Sequence, residues 1–399
     1  MNSFLNKFDK NITFIYLIIF FQCLHPISLG SFTSEFLVQL IPYLFIFKWF
    51  LSPKIYLRIL EKDLIYLALL NIICLLSIFW TNDIKFTLAS NLELLLTSFT
   101  LLFIVDYSKN KKDALEKISN TSIFAIYSIL ILGVLFNSFE QRYFLGMSPS
   151  LFSSILNYGS VCSLFLFHHT NKKRHLISFS VFLIFNFVIG SIRGVFSIML
   201  GLIAYSKFFK SKKDIIFYLK FSTFLISLGI ILISLIFSID GSKIYPFISS
   251  QIFLKQIFFN LYKLKEPILD IFLNNRLDLS TYDYSGDRLA SFIIGIRDTF
   301  LNNPLIGYGH GNVKELFYIY GKSYSHNGLV DIYVGTGILG IYFYVKFLTN
   351  SFFKRIDKSN LKFLDWRRFS IIVFCVHLML GLPFENIPLT LILSLIIAI

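Results

Sequence analysis

Apolar stretches long enough to cross a lipid bilayer recur along nearly the whole of this chain, and that recurrence limits its fold more than any other feature. A helix rising 1.5 Å per residue needs about 17–25 apolar residues to span the hydrocarbon layer. Stretches of that kind are read at 12–29, 33–51, 63–80, 86–106, 118–137, 150–169, 175–190, 194–209, 215–239, 328–349, 368–384 and 386–399. With 55% hydrophobic and 15% charged residues over 399 positions, the composition lies far from that of water-soluble domains. The expected fold is an all-α polytopic membrane protein of about 12 transmembrane helices, divided into 1–239 (nine spans), 240–327 (a long external, largely helical loop) and 328–399 (three spans).

A formal charge of +14 would suit a nucleic-acid binder only if the basic residues formed one patch. They fall instead in alternate loops: Lys7 and Lys10, then Lys48 to Lys62, Lys109 to Lys117, Lys172 to Arg174, Lys207 to Lys213 and Lys346 to Arg368. The intervening short loops hold only Lys85, Arg142 and Arg193. Positive loops stay on the cytoplasmic side, so the alternation predicts both termini inside and the 240–327 loop outside. The charge thus expresses topology, and no nucleic-acid partner is expected. Residues 1–30 lack a small-x-small cleavage site after their apolar stretch and read as an uncleaved first span. Cys23, Cys74, Cys162 and Cys375 all fall within spans without paired spacing, which predicts neither a disulfide framework nor a metal site. The 48 Phe residues read as filling for lipid-facing positions.

Candidate chemistry concentrates between Gly286 and Gly340, where Arg288, Arg297, His310 and His326 stand in a cationic, glycine-rich segment suited to an anionic, lipid-linked substrate. A helix is predicted from Asp287 to Phe300, with Leu289, Phe292, Ile293 and Ile296 on its apolar face, ended by Asn302, Asn303 and Pro304. Gly307, Gly309 and Gly311 alternate with Tyr308, His310 and Asn312. Such spacing permits positive φ and lets N–H groups converge on an anion, and it equally suits a bare turn. Ser325 or Asn327 is placed to cap the tenth span, which sets His326 at the outer membrane boundary. Arg193, in Gly190-Ser191-Ile192-Arg193-Gly194, joins two spans with almost no loop. A guanidinium so near hydrocarbon is a functional hypothesis by default, because it grips phosphate through two N–H groups. Glu93, Asp331, His377 and Lys220 are further ionisable residues inside spans, and the five-residue offset of Asp331 from His326 does not align them as a dyad.

Taken in order, Ser191-Ile192-Arg193-Gly194, Gly286-Asp287-Arg288-Leu289, Pro304 to Asn312, Ser325-His326-Asn327 and Gly337-Ile338-Leu339-Gly340 resemble the O-antigen polymerase and O-antigen ligase superfamily. Ser77 to Asp83 and Gly146-Met147-Ser148-Pro149 agree with it. The chain departs from the family in having Gly335-Thr336-Gly337 where an acidic residue often precedes the final Gly-x-x-Gly.

The resemblance implies a metal-independent glycosyltransferase of the GT-C type, without a cofactor, acting at the periplasmic face of the bacterial inner membrane on undecaprenyl-diphosphate-linked sugars. It implies Arg193 and Arg288 as diphosphate binders and His326 beside the acceptor hydroxyl, with Gly307, Gly309, His310, Gly311, Asn327 and Arg297 lining the substrate site. Partners would be the lipid-linked donor and acceptor, the bilayer, and a chain-length regulator. The expected activity is polymerisation of O-antigen repeat units; transfer to lipid A core by a ligase is the alternative. A flippase is the reading from another class, disfavoured because the charges gather at one face beside a long external segment rather than along a central cavity.

Overall fold

The structure is a computed structural model, and it describes residues 12–17, 20, 64–110, 113–135, 149–188, 191–205, 288–312, 327–353, 363–379 and 387–399. Every regular element among them is helical. In chain order these are α1 (Ile65–Leu76), continued by a 3-10 turn (Ser77–Phe79), α2 (Ile84–Asn110), α3 (Ala114–Leu135), α4 (Pro149–Thr170), α5 (Arg174–Val188), α6 (Ile192–Tyr205), α7 (Arg288–Asn302), α8 (Gly328–Phe353), α9 (Leu364–Met379) and α10 (Ile387–Ala398).

Among the described residues, four helices are long and apolar enough to cross a membrane: α2, α3, α4 and α8. Helices α1, α5, α6 and α10 are apolar but only 12, 15, 14 and 12 residues long. The expected spans at 33–51 and 215–239 and most of 12–29 lie outside the described residues.

The surface identifies the solvent. Phe79, Phe353, Leu135, Phe124 and Ile131 are more than half exposed, whereas Asn91, Asn157, Asn186, Thr100 and Ser160 are buried. A protein that turns large apolar side chains outward and amides inward is built for lipid, where helix association rests on close packing and polar bonds rather than on hydrophobic contrast. This is the architecture of a helical membrane protein.

Helix α4 forms the centre of the bundle, packed by α3, α5, α6, α9 and α10. Two glycines permit the closest approaches. A side chain on Gly159 would meet the Phe182 ring of α5 at 2.8 Å, and one on Gly201 would meet Phe369 of α9 at 2.7 Å. Trp366, wholly buried, donates its indole N–H to the Val161 carbonyl at 2.8 Å, and Phe165 packs edge-on against it. That buried bond contributes about 0.5–1.5 kcal/mol and fixes the register of α9 on α4.

Contacts sort the helix ends into two sets. Glu116 at the start of α3 pairs with His169 at the end of α4 at 3.3 Å, and His169 also stacks on Phe363 just before α9. Arg367 near the start of α9 donates to the Ser351 carbonyl near the end of α8 at 2.7 Å. Those ends share the charged loops around Lys109, Lys172 and Arg368. At the opposite end lie the α1–α2 turn, the loop after α7, the start of α6, the start of α8 and the end of α9, and with them Arg193, His310 and Asn327.

Helix α7 ends at Asn302, as its Asn-Asn-Pro stop predicts, but its faces are disposed differently from a helix lying in water. Gly295, Asp298 and Thr299 are buried, while Ile296, Phe300 and Leu301 are exposed. It packs against α8.

Candidate functional site

The glycine-rich segment after α7 closes on a break in α8. At Gly337 the backbone takes φ 64° and ψ −160°, a conformation that side chains do not tolerate, and the α-helical bonding of α8 is interrupted. An unbroken helix would send the Ile338 and Leu339 N–H groups to the Val334 and Gly335 carbonyls. Instead, Ile338 N donates to Pro304 O at 2.9 Å and Leu339 N to Leu305 O at 3.3 Å, while the two vacated carbonyls accept from Tyr308 N at 2.8 Å and Gly309 N at 3.0 Å. The loop thus replaces each helical bond that the break removes. Non-helical backbone within a membrane span requires such satisfaction.

The same loop grips the α1–α2 turn. His310 N donates to Ser77 Oγ at 2.9 Å, and the buried imidazole shares a hydrogen bond of 2.9 Å between Nδ1 and Asn91 Oδ1. Asn91 in turn donates to Cys74 O at 2.8 Å, and Ser77 Oγ to the same carbonyl at 2.6 Å, which ties off the end of α1. Asp83 caps α2 by accepting from Phe86 N at 3.0 Å. Gly307, Gly309 and Gly311 adopt φ of 66°, 106° and 84°. Side chains there would overlap the α8 backbone, Thr81 and Ser90 respectively. Three of the segments that carried the family resemblance, Ser77 to Asp83, Pro304 to Asn312 and Gly337 to Gly340, are therefore one interlocked unit. Its amides at Gly307, Tyr308, Gly309, His310 and Asn312 all donate within the protein. The turn reading, not the anion nest, describes these N–H groups.

Arg193 occupies a second polar centre. Ser191 Oγ accepts from Gly194 N at 3.2 Å and Ser191 O from Val195 N at 3.1 Å, so Ser191 caps α6 and Arg193 falls in its first turn. A cation there opposes the helix dipole, which favours anions at that end, and this arginine is only 8% exposed. Around it, the amide nitrogen of Asn157 (α4) lies beside Ser197 Oγ, 2.6 Å from His377 Nε2 of α9 and 3.1 Å from Gly194 O, so its two N–H groups serve two of these three acceptors; Ser197 Oγ itself donates to Gly194 O at 2.9 Å. Asn186 of α5 donates to Asn157 Oδ1 at 3.0 Å. A side chain on Gly194 would collide with Asn186 Oδ1. Fixed positive charge, drawn from both the guanidinium and the helix start, suits this corner to an anion.

Asn327 links this centre to α8. Its Oδ1 accepts from Leu329 N at 3.0 Å and Val330 N at 3.2 Å, so of the two capping candidates the asparagine caps the helix; its Nδ2 donates to Met379 O at 2.9 Å. Met379 lies two residues beyond His377 in α9. His326 itself lies outside the described residues. Arg288 is the first residue of α7, and its side chain is also outside the described set. Arg297 is exposed and pairs through Nε with the neighbouring Asp298 Oδ1 at 2.9 Å. Glu93 is on an exposed face of α2, and Asp331 is half-buried in the first turn of α8. Among the described residues no group of three or more His, Cys, Asp and Glu is arranged to hold a metal ion.

Asn157, Asn186 and Ser197 did not stand out in the sequence. Their signal was present as polar side chains in otherwise apolar stretches, but many serines and asparagines share it. No protein-family model and no curated protein sequence matches the chain.

Proposed function

We propose that this protein is an O-antigen polymerase, a metal-independent glycosyltransferase of the GT-C type at the periplasmic face of the bacterial inner membrane. It joins undecaprenyl-diphosphate-linked oligosaccharide repeat units. The observation that carries this reading is Arg193: a buried guanidinium in the first turn of a helix, at the same end of the bundle as the interlocked glycine segment and the Asn327 cap. A leaving diphosphate gains negative charge as the anomeric C–O bond breaks, and preorganised cationic donors stabilise that charge without a metal. In this reading Arg193 and Arg288 bind the diphosphate. His326, adjacent to the helix-capping Asn327, takes the proton from the attacking sugar hydroxyl. The lipid tether holds the reacting carbon near the headgroup plane, so much of the proximity comes from the membrane.

The test is the glycan ladder of a strain whose only copy carries Arg193→Ala, with membrane insertion checked by immunoblot. Core capped with a single repeat unit is the expected result. A normal ladder with the variant present in the membrane overturns the reading. Uncapped core with accumulated lipid-linked polymer identifies a ligase instead, and uncapped core without periplasmic polymer identifies a transporter.

A further inference from the structure

His377 is a wholly buried histidine that the proposed chemistry does not use, and its surroundings fix its protonation state. Asn157 Oδ1 accepts from Asn186, so the nitrogen of the Asn157 amide faces His377 Nε2 at 2.6 Å. An amide N–H can meet a ring nitrogen so closely only if that nitrogen accepts. The ring proton therefore resides on Nδ1, which has no hydrogen-bond partner among the described residues. A protonated ring would set one N–H against another at Nε2. Keeping an imidazole here costs the desolvation of its Nδ1–H group, a cost an aliphatic side chain would not incur. What the imidazole supplies is an acceptor for one Asn157 N–H, which leaves the other for Ser197 Oγ, whose own hydroxyl donates to the Gly194 carbonyl at 2.9 Å just after Arg193.

We infer that His377 is a positioning residue for Arg193: as a neutral Nδ1–H tautomer it orients Asn157, which anchors the first turn of α6 and so directs the guanidinium toward a diphosphate. This deepens the reading of Arg193 as a diphosphate binder and rests on it. Three helices beside α6, namely α4, α5 and α9, each contribute one side chain to this relay, Asn157, Asn186 and His377. Removing the acceptor leaves that Asn157 N–H only the Gly194 carbonyl at 3.1 Å, which Ser197 already serves. The asparagine then turns, and the α6 start loses its tether to α4.

The test uses the purified full-length protein in nanodiscs and titrates farnesyl diphosphate as the probe, with farnesol as the uncharged control. Wild type is expected to bind the diphosphate and not the alcohol, and Arg193→Ala to abolish that binding. His377→Phe should weaken binding about tenfold or more, the scale on which misplacing a binding group acts. His377→Gln, whose carbonyl can again accept from Asn157, should recover most of the affinity. A purely structural role would lower thermal stability equally in the Phe and Gln variants without this split in affinity. If the Phe variant does not fold, Asn157→Ala carries the same expectation of weakened binding. Wild-type affinity in His377→Phe or in Asn157→Ala overturns the positioning role while leaving Arg193 as the binder. Failure of wild type to bind, or unchanged binding by Arg193→Ala, overturns the diphosphate reading itself.

Discussion

Replacing Gly337 by alanine tests the interlock between the post-α7 loop and α8. At φ 64° and ψ −160° a β-carbon is strained by about 1–3 kcal/mol, and it would also overlap the Leu305 carbonyl group. The obstructing atoms are backbone, so no rotamer change relieves the overlap and the loop must withdraw. Once it does, Ile338 and Leu339 can return their N–H groups to Val334 and Gly335, and α8 straightens. The loss then falls on Tyr308 and Gly309, whose two bonds at 2.8 and 3.0 Å are worth about 0.5–1.5 kcal/mol each. A net destabilisation of about 2 kcal/mol is expected, equivalent to roughly a 30-fold faster exchange of those two amides. Hydrogen exchange by mass spectrometry on nanodisc samples, with denaturant unfolding in parallel, measures both quantities. Ile338→Ala, at a side chain 45% exposed, serves as the control with little effect. If Gly337→Ala matches wild type within about 0.5 kcal/mol and still protects Tyr308 and Gly309, the bond exchange described above is wrong.

Asn327→Ala should cost about 1–2 kcal/mol in denaturant unfolding by removing both the α8 cap and the tie to Met379, whereas Asn327→Asp keeps the cap and should cost less. Trp366→Phe removes the indole bond to Val161 and part of a wholly buried ring, and a loss of about 1–3 kcal/mol is expected by the same measurement. Gly201→Val drives a side chain into Phe369 and should destabilise by about 1–3 kcal/mol, with Phe369→Ala in the same chain restoring part of the loss.

The membrane character and several helix ends were legible because they depend on local properties. Segment length and polarity placed α2, α3, α4 and α8 within a few residues, and Asn302-Asn303-Pro304 marked the end of α7, since backbone stereochemistry acts over one or two turns. Apolar content did not show how α5 and α6 pack on α4, because both are apolar along their length. Nor could it orient α7: Ile296 is apolar and exposed, and Asp298 is charged and buried, because the partner helix and the surrounding medium decide which face turns inward.

At the candidate site the division is sharper. The alternating glycines at 307, 309 and 311 announced positive φ from composition alone, and the structure bears that out. Which groups their N–H donors would meet depended on a break 28 residues downstream of Gly309 and on a turn more than 200 residues upstream, pairings that no local pattern encodes. Arg193 was visible as a charge next to hydrocarbon. That Asn157, Asn186 and His377 gather behind it follows only from how α4, α5 and α9 pack around α6, since hydrogen-bond partners in a bundle are chosen by helix rotation and depth, which the chain specifies through all its contacts at once.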